Sequence, residues 1–197
     1  MELEDSCRGM EVLPDGTLVR VAQGPWDEKG SGYVERSTDG GKTWSAKIFP
    51  LPVEHYKARP TLIRRLRDGR LVLFGGVWKR GVGLMEQSLV KTMFVSSDEG
   101  KTWGKPIAIM PAEVGKCEES DFCELPNSDL LWVHRAVHYG SDPLQTRMQS
   151  IVAKRGKTFI PGKCEPADIP HSGYPMLMYA KEGIILHFAT DGVRWTN

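Results

Sequence analysis

Glu119 and Arg135 are opposite charges sixteen residues apart in EESDFCELPNSDLLWVHR, residues 118–135. The Asn127-Ser128 pair stands midway, and a chain reversal there carries both side chains to the same end of a hairpin, on neighbouring strands. They can touch. Such a pair is either a cross-strand salt bridge, worth about 0–1 kcal/mol if exposed, or part of a functional site. His134 and His138 share the stretch and have the i, i+4 spacing of a helical metal pair, but four residues of extended strand span about 13 Å, too far for one ion. No metal is expected from them. Trp26 and Trp78 are either sugar-stacking platforms or loop anchors, and His171 in PHSGYP is a loop polar residue or a ligand contact.

Other chemistry fails on spacing. STDGGKTW (37–44) and SSDEGKTW (96–103) both contain GKT, the tail of a phosphate-cradling loop. That loop needs a further glycine five residues before its second one, and Arg36 and Val95 stand there. The cysteines, Cys7, Cys117, Cys123 and Cys164, lack the paired spacing of a zinc site and read as buried thiols. Cys117 and Cys123 could pair in an oxidising compartment. No cofactor is called for.

The two eight-residue stretches are 59 positions apart, and each follows another turn signal between apolar runs. Those runs are EVLPDGTLVRV (11–21), IRRLRDGRLVLF (63–74), CELPNSDLLWV (123–133) and, more faintly, MLMYAKEGIILHF (176–188). Asp-Gly or a polar substitute between short apolar segments predicts a two-residue hairpin. Gly16, Gly69, Ser128 and Gly183 mark the centres at spacings of 53, 59 and 55. A period in that range, with several strands per unit, predicts a propeller. One unit then reads as strand A ARPTLIRRL, B RLVLFGG, C VKTMFVSS and D GKPIAIM, with the eight-residue motif turning the chain from C to D. Weaker copies of the motif are AKRGKTF (153–159) and ATDGVRW (189–195). Asp39 and Asp98 are thus expected to be structural, closing each unit by accepting amides of their own turn while the tryptophan folds back.

In such a meander the A-to-B and C-to-D turns share one rim. The other rim receives longer loops rich in Trp, Tyr, His, Arg and acids, and a site is expected there. Glu119 and Arg135 reach that rim. The approximate units are 8–52, 58–111, 118–168 and a partial 172–197.

Composition sets the broad class. The chain has 197 residues, 40% of them apolar and 26% charged, with a formal charge of +1. It reads as a soluble globular protein, without the basic field that nucleic-acid binding needs. No stretch approaches the ~20 apolar residues of a membrane span, and MELEDSC does not read as a secretion signal.

S-x-D-x-G-x-T-W resembles the Asp-box, or BNR repeat, of the sialidase-like (neuraminidase) β-propellers. Ser37, Asp39, Gly41, Thr43 and Trp44 match it, as do Ser96, Asp98, Gly100, Thr102 and Trp103. The resemblance implies an all-β, six-bladed type of propeller, of which this chain supplies three to four blades. Residues 118–135 also resemble a sialidase strand, N-E-S-Q-V-V-E-L-P-D-G-R-L-L-L-N-x-R. That strand's glutamate activates a tyrosine nucleophile, and its arginine is one of three that bind the sugar carboxylate. The carry-over is to Glu119 and Arg135, with Glu118 in place of the asparagine, Ser128 of the glycine and Trp132 of a leucine. Arg59, before Pro60 and ten residues ahead of Gly69, matches the element of the family's first arginine, although it lies one blade before Glu119 where the family places two. Tyr174 is present without a mark of the nucleophile. The resemblance implies a sialidase-like exo-glycosidase acting on terminal sugars, sialic acid among them. The alternative is a non-catalytic propeller that binds a glycan or a protein. An open array of blades implies a homodimer or a longer parent chain.

Overall fold

The computed structural model describes residues 6–23, 31–81, 90–110, 119–136, 146–167, 175–180, 185–190 and 195–196. Among them the secondary structure is all β. The first sheet orders β1 (Ser6–Val12), β2 (Leu18–Gln23) and β3 (Gly32–Ser37). The second orders β4 (Tyr56–Arg65), β5 (Leu71–Lys79), β6 (Val90–Ser96) and β7 (Ile107–Met110). The third runs β11 (Thr158–Pro161), β10 (Thr146–Arg155), β9 (Leu130–Ala136) and β8 (Ser120–Glu124), with β12 (Glu165–Pro166) also paired to β10. Last come β13 (Met176–Tyr179), β14 (Ile185–Thr190) and β15 (Trp195–Thr196).

The chain divides into two compact units, Met1–Gln87 with Lys91–Pro106, and Ser88–Val90 with Ile107–Asn197. In the first, alternation along the strands sends Val19, Val21, Val34, Ile63, Leu71, Leu73 and Phe94 into one apolar core. In the second, Cys123 and Val133 pack on Leu177, and Met110 packs on Met148. Fully burying such side chains contributes about 1.5–3 kcal/mol each.

The hairpin turns correct the two-residue expectation. In each of the three described turns the loop holds three residues, and the turn at Gly183 lies outside the described residues. Leu13 N donates to Thr17 O (2.8 Å) and Gly16 N to Leu13 O (2.9 Å), around Pro14-Asp15-Gly16. The pattern returns at Leu66–Arg70, and at Leu125–Asp129, where Ser128 N donates to Leu125 O. A turn closed by the third residue in the left-handed region explains the extra residue. Gly16 and Gly69 adopt it at φ 85° and 89°, and Ser128 is forced into it at 70°.

The STDGGKTW and SSDEGKTW turns have matching hydrogen bonds. Ser37 Oγ donates to Asp39 Oδ1 (2.7 Å) and accepts from Gly41 N (2.9 Å), while Asp39 Oδ1 accepts from Thr43 N (2.9 Å). At the second turn Ser96, Asp98, Gly100 and Thr102 repeat these bonds at 2.7, 2.8 and 2.9 Å. Gly100 takes φ 82°, and a Cβ there would stand 3.2 Å from Val19 and 3.3 Å from Leu71, so both side chains would have to give by a few tenths of an ångström. The tryptophans then diverge. Trp103 packs on the first core, whereas Trp44 lies under the Arg20 guanidinium at 3.9 Å. A cation over an indole face stabilises by about 0.5–1 kcal/mol when exposed.

The third copy, AKRGKTF, is corrected too. With neither the serine nor the aspartate, it forms a tight reversal in which Arg155 pairs with Thr158 and Gly156 takes φ 61°. Asp129, from the neighbouring turn, holds it instead, accepting from Lys154 N (2.9 Å) and Arg155 Nη1 (2.7 Å). The turn of the fourth copy lies outside the described residues.

Candidate functional site

Glu119 immediately precedes β8, and Arg135 is the penultimate residue of β9. The register set by the turn around Asn127 pairs Ser120 with His134, which puts Glu119 level with Arg135. Arg135 Nη1 donates to Glu119 Oε2 at 2.6 Å, and Arg135 N donates to Glu119 O at 3.0 Å. Both side chains keep access to solvent, at 22% and 30% exposure. A short charge-assisted bond of this kind restrains the guanidinium while the side chain stays partly exposed.

What lies beside the pair was only partly visible in sequence. Arg147 on β10 pairs with Arg135 across the strands and is 1% exposed. Asp121 is buried and accepts from Leu177 N at 2.7 Å, tying β8 to β13. His134 is wholly buried, with Nδ1 2.9 Å from Ser120 Oγ and Nε2 3.2 Å from Ser150 Oγ. Its ring lies parallel to that of Trp132, 6.0 Å between centroids, and Trp132 packs on Phe122 at 4.5 Å. Among the described residues there is no cluster of His, Cys, Asp and Glu that could hold a metal.

Arg59 belongs to the first unit, on β4. Its Nε donates to Gln23 Oε1 at 3.3 Å, and Gln23 Nε2 donates to Pro60 O at 3.0 Å. The Arg59-Pro60 step is seated against two glycines. A Cβ at Gly75 would fall 2.2 Å from Arg59 O, and one at Gly32 would fall 2.2 Å from Pro60 Cδ. Any side chain there would displace Arg59, so these glycines position it, a role that composition could not reveal. Trp78 corrects its expected loop placement. It lies within β5, buried, opposite Lys57, whose Nζ is 5.8 Å from its ring, because β5 runs on to Lys79. Trp26, His171, Tyr174 and His138 lie outside the described residues. The motif residues Ser37 to Trp44 and Ser96 to Trp103 stand in their own turns.

No protein-family model matches the chain, and no curated protein does. Solved structures do. The α-L-arabinofuranosidase Arb93A from Fusarium graminearum superposes with a TM-score of 0.62 at 14% identity, over 92% of this chain and 55% of that one. The endo-arabinase from Bacteroides thetaiotaomicron gives 0.63 at 13%, over 91% and 67%. The intramolecular trans-sialidase from Ruminococcus gnavus gives 0.53 at 15%, over 91% and 38%. The fold is that of the β-propeller glycosidases. It accounts for the succession of antiparallel sheets, and the chain spans 55% of the length of the arabinofuranosidase. At these identities the likeness establishes fold alone.

Proposed function

We propose that this chain is part of an Asp-box propeller glycosidase, sialidase-like, which removes terminal sugars, sialic acid among them. The single observation that carries the reading is the Glu119–Arg135 pair, joined at 2.6 Å. By the resemblance of its strand, Glu119 is the residue that activates a tyrosine nucleophile, and Arg135 grips the sugar carboxylate. The roles fit the chemistry. A guanidinium offers two parallel donors to a carboxylate, and a neutral nucleophile avoids the repulsion that a carboxylate would feel next to that anion. Arg59 is proposed as a ligand-binding arginine by its match to the family's first, and Trp26, His171 and Tyr174 as lesser contacts. The matching hydrogen bonds of the two S-x-D-x-G-x-T-W turns support the Asp-box assignment.

The blades are proposed as 8–52, 58–111, 118–168 and a partial 172–197. A longer parent protein, or a second copy, would supply the rest, since the arabinofuranosidase is nearly twice the length aligned to this chain. A second reading is a non-catalytic binding propeller, and the same observation favours it. Glu119 and Arg135 satisfy one another as a resting cross-strand salt bridge would. Purified protein is to be assayed on a panel of chromogenic exo-glycosides that includes sialosides and arabinofuranosides. Release from one of them, abolished in Glu119→Gln, is expected. No release from any, or release that survives Glu119→Gln, removes the catalytic reading.

A further inference from the structure

We propose that His134 is a positioning residue for Glu119 and Arg135, acting through a hydrogen-bond chain that ties three strands together where the pair leaves the sheet. The inference rests on reading that pair as the functional site. Its members are Ser120 on β8, His134 on β9 and Ser150 on β10, joined at 2.9 and 3.2 Å and exposed by 0%, 0% and 3%.

Packing alone does not call for an imidazole here. Phe122 and Trp132 fill the same face of the sheet with apolar surface, and an apolar residue would extend it at no cost in desolvation. A buried imidazole is tolerated because both nitrogens are engaged, one donating and one accepting in the neutral ring. It gains directionality, which apolar contact lacks. Each bond fixes the lateral spacing of two strands at one residue.

That residue is next to the pair. Ser120 is the first residue of β8 and follows Glu119, while His134 precedes Arg135. Side chains alternate along a strand, so the chain of bonds lies on one face and the ion pair on the other. His134 therefore lies on the opposite face from the pair and acts on it through the backbone. Beyond Ser120 the next bond of the hairpin is Arg135 N to Glu119 O, the one that sets the two charged side chains level. Loosening Ser120 frees that bond first.

Amide hydrogen exchange tests this without any substrate. In Ser120→Ala and in His134→Phe the Arg135 amide should exchange about tenfold faster or more, while the Leu125 amide at the opposite end of the hairpin, bonded to Asp129 O, stays as it was. Ser120→Thr, which retains the hydroxyl, should restore protection. Unchanged exchange at Arg135, or an equal rise at both amides, overturns the inference. Should His134→Phe fail to fold, the Ser120→Ala and Ser120→Thr comparison decides. If a glycoside is cleaved, Ser120→Ala should lower kcat by about tenfold while KM stays within about twofold. A protein that cleaves no glycoside sinks the proposed function and leaves the exchange result to judge His134.

Discussion

Arg135 stands or falls by the shape of its guanidinium. One nitrogen, Nη1, is spent on Glu119 at 2.6 Å, so an anionic ligand would meet a guanidinium already held by that bond. Arg135→Lys keeps the charge and loses the fork. On the proposed function it should weaken binding of a free sialic acid by about 1–3 kcal/mol, read by calorimetric titration. Unchanged affinity would remove the carboxylate role. Ser128 offers a test of another kind, since it takes the left-handed φ of 70° where two sister turns use glycine. Ser128→Gly should stabilise by about 0.5–1 kcal/mol in a denaturant titration. A loss of stability would mean that the serine earns its place through contacts rather than tolerating strain. The Glu119–Arg135 proximity was legible in sequence because a turn signal and a count of residues fix which positions face each other. The buried Arg147 and the His134 chain were not, since a strand's inward polar residues are written in the same letters as its outward ones.

At the scale of elements, the eight-residue turns hold themselves together through one carboxylate each. The Thr43 hydroxyl and amide, then the Ser37 hydroxyl, hold the Asp39 carboxyl down to about 2. At Asp98 burial works the other way, but the Thr102 hydroxyl and amide with Ser96 outweigh it and the carboxyl is again lowered. A carboxyl depressed on folding stabilises the protein above its unfolded value, near 4, and that contribution is lost as pH falls towards the folded value. Melting temperature should therefore fall between about pH 4 and pH 2, and less steeply in Asp39→Asn, which has no carboxyl to protonate. Parallel curves for the two proteins would contradict the account. Asp98→Ala should cost about 1–3 kcal/mol by leaving turn donors unpaired. Repeated residues made these turns readable, and Asp129 escaped notice because it does similar work from a different turn, one that no local motif marks.

For the whole molecule, the described strands leave apolar side chains in water. Met10 and Val12 on β1 are 52% and 56% exposed, although Gly9, just before them in the strand, lies against Ile63. Met176 and Met178 on β13 are 56% and 52% exposed, while Leu177 is buried against Cys123 and Val133. Sheet faces of that character are covered in a finished propeller. The isolated chain should accordingly associate at micromolar concentration, as measured by light scattering, and Val12→Lys with Met178→Lys should reduce association without lowering the melting temperature. A monomer that stays monomeric would rule out such pairing. The propeller was legible from the period of its turns, whereas the ligand was not, because loops that share no repeat leave no pattern to read.

Within each sheet the strands follow one another in chain order, β12 apart. A strand therefore finds its partner in the segment made just before it, and the loops that must close are short. Contacts so local favour assembly while synthesis is still under way, one sheet being complete before the residues of the next have emerged. For a propeller broken into repeating turns, the order of residues along the chain is then also an order in time.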